Sequence, residues 1–123
     1  MIRLDHLTIK VSDAVVSRDW YKTNFGLRVA FENVQAGLVG LEDDGAVELI
    51  LVRTPIVPGE RDCTLTFQCD SVDQKYRELT SHGVAFVHEP KHVAWGYGAE
   101  LRDPDGYRVL VWDAKTMPGY KAK

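Results

Sequence analysis

Two side chains in the first half of the chain, His6 and Glu48, combine an imidazole with a carboxylate. Each lies in a segment with strand-like residues, "HLTIKV" and "AVELILVR". An imidazole exchanges a proton near neutral pH, so the pair could abstract a proton next to a carbonyl without a metal, as in an epimerase or isomerase. Both groups are also ligands for divalent metals, and buried polar pairs often simply satisfy each other. The residue types leave these three roles open.

The remaining histidines and the cysteines suggest no further catalytic group. His88 and His92 flank Pro90, which excludes the helical spacing that would align them on a metal, so they are expected in a loop. Cys63 and Cys69 would lie roughly 20 Å apart on one strand, too far for a disulfide. Reduced cysteines favour a cytoplasmic protein.

Composition excludes several classes of protein. The chain has 123 residues, of which 45% are hydrophobic, and a formal net charge of −3. Interspersed charges of this sign predict no nucleic-acid partner. No apolar run approaches the roughly 20 residues that cross a bilayer, so no membrane contact is predicted. A single domain with a small-molecule ligand is the expected class.

The elements that must position His6 and Glu48 occur twice along the chain. "HLTIKVSDA" from His6 matches "TLTFQCDSV" from Thr64, at an offset of 58 residues. Helix caps are predicted after each strand, at Asp13 and at Ser71, where Ser71 and Gln74 form a capping-box pattern. Gly26 and Gly83 are expected to end the two helices.

Three strand-like segments follow each helix, which predicts the order βαβββ twice. These segments are Leu27–Val34, Leu38–Glu42 and Ala46–Arg53 in the first half, and Val84–Val87, Tyr97–Arg102 and Tyr107–Asp113 in the second. The segment Arg53–Asp62 is rich in Pro, Gly and charge and is expected to link two modules, about 1–54 and 62–113. Each module is too small to fold well alone, so we expect one domain over 1–123.

Alternation along the strands assigns their faces. In "HLTIKV" and "TLTFQC" the odd-numbered residues are apolar and should pack on a helix. The opposite, concave face is predicted to combine polar with apolar side chains, as small-molecule sites do. Its predicted residues are His6, Lys10, Glu48, Gln68 and Arg108 with Ile50, Val52, Leu110 and Trp112. A solvated sheet face is the alternative.

Two aromatic residues, Trp95 and Tyr97, lie beside glycines in "AWGYG". A flexible loop of this kind could close them over a planar ligand by stacking. A dimer interface is an equal alternative, because such interfaces are enriched in Trp and Tyr.

The motifs "DHLTIKVSD", "WYKTNFGL", "GAVELILV" and "LRDPDGYRVLVWD" resemble the glyoxalase/bleomycin-resistance/extradiol-dioxygenase superfamily, also called the vicinal oxygen chelate fold. The resemblance spans about Ile2 to Asp113. It implies an α+β fold of tandem βαβββ modules, whose half-barrel mixed sheets surround a cleft, and commonly a homodimer.

The resemblance also implies where metal ligands would lie. Metal-dependent members take ligands from the first and last strands of each module, which gives His6 and Glu48 here, but Thr64 and Leu110 in the second module. In members with three ligands the set is His6, Thr64 and Leu110. The metal site is therefore expected to be incomplete, since catalytic zinc sites usually have three protein ligands.

The leading hypothesis is a cytoplasmic, homodimeric binding protein of the bleomycin-resistance type that holds a planar or aromatic molecule and needs no cofactor. Two enzymatic alternatives remain: a lyase, isomerase or dioxygenase with a divalent metal, and a metal-free acid-base epimerase that uses His6 and Glu48.

Overall fold

The computed structural model describes residues 2–57, 62–93 and 96–113. These residues divide into two compact units, the first made of 2–57 and the second of 62–93 and 96–113. The first unit contains β1 (His6–Val11), α1 (Ala14–Phe25), β2 (Arg28–Asn33), β3 (Leu38–Glu42) and β4 (Glu48–Arg53). The second contains β5 (Thr64–Gln68), α2 (Val72–Ser81), β6 (Phe86–Val93), β7 (Gly96–Arg102) and β8 (Arg108–Trp112). The predicted order βαβββ, twice, is confirmed.

Each unit has one four-stranded mixed sheet, ordered β1-β4-β3-β2 in the first and β5-β8-β7-β6 in the second. The first strand of each unit pairs in parallel with the last, and the other neighbours are antiparallel. This arrangement places His6 beside Glu48, because the two are register partners in β1 and β4.

The predicted caps bound both helices. Asp13 accepts hydrogen bonds from the backbone N–H groups of Val15 and Val16, at 2.9 and 3.1 Å, and Gly26 ends α1 in the left-handed conformation with φ of 67°. In α2, Oγ of Ser71 accepts from the N–H of Gln74 at 3.2 Å. These bonds satisfy backbone donors that have no partner within a helix.

One predicted loop is a strand. β6 extends to Val93 and includes both His88 and His92, whereas the sequence placed them in a loop because of Pro90. The register of β6 against β7 shifts between His88 and Lys91, and β6 is the outer strand of its sheet. An edge strand with a bulge accommodates proline, since no ladder hydrogen bond is lost there.

The core lies between each sheet and its own helix. Fully buried residues include Val11, Val39 and Leu51 in the first unit and Leu101, Val109 and Val111 in the second. Alternation predicted the apolar faces of β1, β4, β5 and β8, although Leu7 is 45% exposed at the start of β1. We call the other side of each sheet, opposite the helix of its own unit, the distal face.

Within the part of the chain that the structure describes, neither helix has the length and apolar character required to cross a membrane.

Candidate functional site

His6 and Glu48 each begin their strand on the distal face of the first unit. As register partners on neighbouring strands, their backbones lie about 4.8 Å apart. His6 is exposed and Glu48 is half-buried. The structure therefore brings together the imidazole and the carboxylate that the sequence singled out.

The carboxylate that contacts the imidazole is that of Asp5. Nδ1 of His6 lies 2.9 Å from Oδ2 of Asp5, and this hydrogen bond holds the pKa of the exposed Asp5 below its usual range. Because an ionised carboxylate only accepts hydrogen bonds, Nδ1 of His6 carries the proton in this contact. In the neutral ring, Nε2 is then the nitrogen that accepts a proton or a ligand.

Apolar side chains continue the distal face along β4. Ile50 and Val52 are half-buried and follow Glu48 at alternate positions, with Thr8 and Lys10 as their register partners on β1. Across β3, Ile50 is the partner of Gly40. All five residues predicted for this face in the first unit thus share it: His6, Lys10, Glu48, Ile50 and Val52.

Phe31 is a further residue of this face that the sequence reasoning missed. It is the register partner of Gly40, and a Cβ added at Gly40 would overlap its ring. The ring is 43% exposed and covers the strand where a side chain is absent. Such a ring offers a stacking surface beside Ile50.

The second unit has a different set of groups on its distal face. Arg108, Leu110 and Trp112 alternate along β8, and Gln68 of β5 is the register partner of Trp112. Leu110 is 7% exposed and Trp112 is half-buried. Gln68 and Arg108 are exposed at the two ends of this row.

The register also changes which residue of the second unit corresponds to Glu48, for which the family resemblance implied Leu110. His6 pairs with Glu48, but Thr64 pairs with Arg108, and Leu110 pairs with Thr66. By strand pairing, Arg108 is therefore the counterpart of Glu48, and Leu110 is the counterpart of Ile50. Arg108 lies two residues before Leu110 on β8, and the face is unaffected by a shift of two.

Glu100 is the second functional candidate that sequence reasoning missed. Its side chain is 12% exposed, and Arg108 binds it through Nη2 at 2.9 Å and Nε at 3.3 Å. Nη2 of Arg102 lies 3.0 Å from the same carboxylate. The Arg108 hydrogen bonds lower the pKa of Glu100 despite desolvation, and the Glu100 carboxylate raises the pKa of Arg108.

The structure gives different results for the two aromatic residues that were predicted to close over a planar ligand. Trp95 lies outside the described residues. Tyr97 lies on the helix side of its sheet, where its hydroxyl donates to Asp73 of α2 at 2.6 Å and its ring contacts His92. This hydrogen bond raises the pKa of Tyr97. The structure therefore does not bring Tyr97 together with Arg108, Leu110 and Trp112, because alternation along β7 directs it to the opposite face.

The donor set does not fit a stable metal site. Among residues 2–57, 62–93 and 96–113, no group of three or more His, Cys, Asp or Glu side chains converges as metal ligands would. In the first unit His6 and Glu48 are register partners on the distal face and supply two donors. In the second unit the matching positions hold Thr64 and Arg108, and a guanidinium repels a cation.

A surface depression of about 210 Å³ lies away from the distal faces, at the start of α2. Its lining includes Cys69, Ser71 and Lys75. Burial raises the pKa of the Cys69 thiol to about 11, so this cysteine stays protonated at neutral pH and is a poor nucleophile.

The chain belongs to the Glyoxalase/Bleomycin resistance protein/Dioxygenase superfamily, whose family model matches residues 3–111. The uncharacterized protein YetH of Bacillus subtilis (strain 168) is 21% identical over 111 residues, which are 85% of this chain and 92% of YetH. The superfamily and the α+β fold that the sequence predicted are thereby confirmed.

Solved structures with the same fold include both binding proteins and enzymes. TnmS3, an antibiotic binding protein from Streptomyces sp. CB03234, is 24% identical with a TM-score of 0.76 over 92% of this chain and 96% of its own. Lactoylglutathione lyase from Agrobacterium tumefaciens is 18% identical with a TM-score of 0.74 over 96% of this chain and 97% of its own. At these identities the similarity defines the fold alone.

Proposed function

We propose that this protein binds a small planar or aromatic molecule on the distal face of one of its units and does not catalyse a metal-dependent reaction. One observation carries the proposal: the positions that hold His6 and Glu48 in the first unit hold Thr64 and Arg108 in the second. Two protein ligands are fewer than catalytic metal sites usually have. Binding needs only shape, stacking and a few polar contacts.

The apolar part of the distal faces supports a planar ligand. Phe31 and Ile50 in the first unit, and Leu110 and Trp112 in the second, provide rings and branched side chains beside polar groups. The fold shared with the antibiotic binding protein TnmS3 is consistent with this function. No cofactor forms part of the proposal.

Metal content tests the proposal first. We expect far less than one metal ion per chain by inductively coupled plasma mass spectrometry, in protein purified without an affinity-tag metal or a chelator. Dialysis against nickel, zinc, iron(II) or manganese should leave that result unchanged. Close to one ion per chain, lost in Glu48→Gln, would instead establish the metal-dependent lyase, isomerase or dioxygenase alternative.

A metal-free acid-base enzyme is the second candidate, favoured by the hydrogen bond between Asp5 and His6. That contact would orient the ring with Nε2 as the proton acceptor, and Glu48 on the neighbouring strand would be the second proton carrier. Deuterium exchange next to the carbonyl of a panel of 2-oxo acids, followed by nuclear magnetic resonance, detects such chemistry. Exchange that Glu48→Gln abolishes, and that the control Glu78→Gln on α2 retains, would favour the enzyme over the binder.

We also propose a cytoplasmic homodimer in which residues 1–123 act as one glyoxalase-like domain with no nucleic-acid or membrane partner. Cys63 and Cys69 are both free thiols, as expected in a reducing compartment. Membership of the superfamily supports the dimer.

A further inference from the structure

The second unit places two guanidinium groups directly opposite each other. Arg102 and Arg108 are register partners on the antiparallel strands β7 and β8, and their side chains are 44% and 47% exposed. Like charges at directly opposite positions destabilise a sheet. Two guanidinium groups in these positions therefore need a negative charge between them.

Glu100 supplies part of that charge. Its carboxylate bridges the two guanidinium groups, at 3.0 Å from Arg102 and 2.9 Å from Arg108. One negative charge against two positive charges leaves the cluster with a net charge of about +1. Glu100 is the one acidic group that shifts the pKa of Arg108, among the described residues.

An apolar row continues from this cluster along β8, in which Leu110 is buried and Trp112 is half-buried. Leu110 and Trp112 follow Arg108 at alternate positions, so they lie on the same face, about 7 and 13 Å further along the strand. Glu100 is the register partner of Leu110, which places the carboxylate beside the apolar row. The cluster and the row together have the pattern of a ligand site with one charged and one apolar end.

We propose that the distal face of the second unit is a binding site for organic anions, with a carboxylate on Arg102 and Arg108 and an aromatic body against Trp112, beyond the buried Leu110. A planar guanidinium binds a carboxylate through two parallel hydrogen bonds, and the two exposed arginines have N–H donors beyond those that Glu100 accepts. The inference rests on the proposed small-molecule binding and specifies its ligand class. It assigns no catalytic step.

Two probes separate charge from shape: 1-naphthylacetate and its neutral amide, 1-naphthylacetamide. Isothermal titration calorimetry on the full chain at low ionic strength should show the acid binding at least about tenfold more tightly than the amide. Added salt should weaken binding of the acid and leave binding of the amide unchanged.

Substitutions within the cluster should move the affinity in opposite directions. Arg102→Gln and Arg108→Gln should each reduce acid affinity by about tenfold and leave amide affinity unchanged. Glu100→Gln should increase acid affinity, because the internal carboxylate no longer competes for the two guanidinium groups. Arg77→Gln, on the exposed surface of α2, is the matched control and should change neither.

The outcomes distinguish this inference from the proposed function. If acid and amide bind equally and Trp112→Ala weakens both, the anion site is wrong but the proposed small-molecule binding is supported. Acid affinity that survives both arginine substitutions, or decreases in Glu100→Gln, would also overturn it. Binding of neither probe would contradict the site for aromatic carboxylates of this size. If Arg108→Gln does not fold, Arg108→Lys provides the same test. Lysine retains the charge but lacks the two parallel donors of a guanidinium group, so acid affinity should still decrease.

Discussion

Glu100 is the residue whose protonation most directly changes the charges on a distal face. Arg108 and Arg102 hold the pKa of this carboxylate below its usual value of 4.5. A carboxylate with a lowered folded-state pKa stabilises the fold fully above its unfolded-state pKa, and this contribution is lost as the pH falls through the folded-state pKa. Since the two guanidinium groups are nearly half exposed, solvent screening keeps the effect small.

We therefore expect Glu100→Gln to lower the melting temperature at pH values above about 5, with a difference from the parent protein that shrinks as the pH falls further. Thermal unfolding followed by circular dichroism across this range measures the difference. Glu78→Gln on α2, where the carboxylate has one contact with Lys75 at 3.5 Å, is the control and should show a smaller dependence on pH. A constant difference at every pH would show that Glu100 acts through packing and not through charge.

At the scale of elements, β3 depends on the close approach of Phe31 to Gly40. The ring occupies the space where a Cβ at residue 40 would lie, so Gly40→Ala must displace it. We expect Gly40→Ala to cost about 1 kcal/mol in the free energy of unfolding, a moderate value because the exposed ring can rotate outward.

Urea unfolding of a double-mutant cycle with Phe31→Ala tests this contact. Gly40→Ala should cost much less in the Phe31→Ala background, because no ring remains to be displaced. Equal costs in both backgrounds would mean that the added methyl group disturbs the strand itself.

A second element-scale contact connects the end of β8 to α2. Oδ2 of the buried Asp113 accepts a hydrogen bond of 2.8 Å from the N–H of Val72, the first residue of the helix. Asp113→Ala would leave that buried donor unsatisfied, and we expect a loss of about 2 kcal/mol in the free energy of unfolding. Ser71→Ala, which removes a more exposed cap, should cost about 1 kcal/mol. Chemical denaturation measures both losses. A larger loss for Ser71→Ala than for Asp113→Ala would contradict the role of Asp113 as the buried acceptor for Val72.

Local sequence patterns predicted these elements well. Caps at Asp13 and Ser71, the stop at Gly26 and strict alternation in β1 and β5 are signals within a few residues, and all appear in the structure. Pro90 misled the prediction because its tolerance depends on an edge position, which is a property of the sheet and not of the segment.

The candidate site was only half predictable for a similar reason. Alternation assigned Arg108 to a face, but its contact with Glu100 depends on the register between β7 and β8. That register follows from the turn 103–107, in which Oδ1 of Asp103 accepts from the N–H groups of Asp105 and Tyr107, both at 2.9 Å. Pairing the residues of β7 and β8 outward from this turn places Arg102 opposite Arg108, with Glu100 two residues further along β7 on the same face. Phe31 lay beyond such counting, because a bulge in β2 shifts its register.

At the scale of the whole molecule, two units with the same topology have distal faces of different chemistry. The first has His6, Glu48 and Phe31, and the second has the Glu100 cluster with Trp112. Because strand order is determined by the buried faces, the distal faces can differ without a change of fold. The same separation explains how an antibiotic binding protein and a lactoylglutathione lyase can share this fold.

The proposed homodimer is tested on the intact chain. Sedimentation equilibrium should give about twice the chain mass of 13.9 kDa, independent of concentration over the micromolar range. Glu100→Gln and Glu48→Gln should retain that mass, so that changes in binding are not changes in assembly. A mass of one chain at all concentrations would contradict the dimer.

The parallel pairing of β1 with β4, and of β5 with β8, has a consequence for synthesis on the ribosome. The first strand of each unit lies at the outside of its sheet and has one neighbour, which is the last strand of that unit to be made. A nascent chain therefore holds β1 without its partner until Arg53 has emerged, and the start of α2 lacks its buried acceptor until Asp113 has emerged. Each sheet is expected to close in one late step, after the last strand of its unit has emerged.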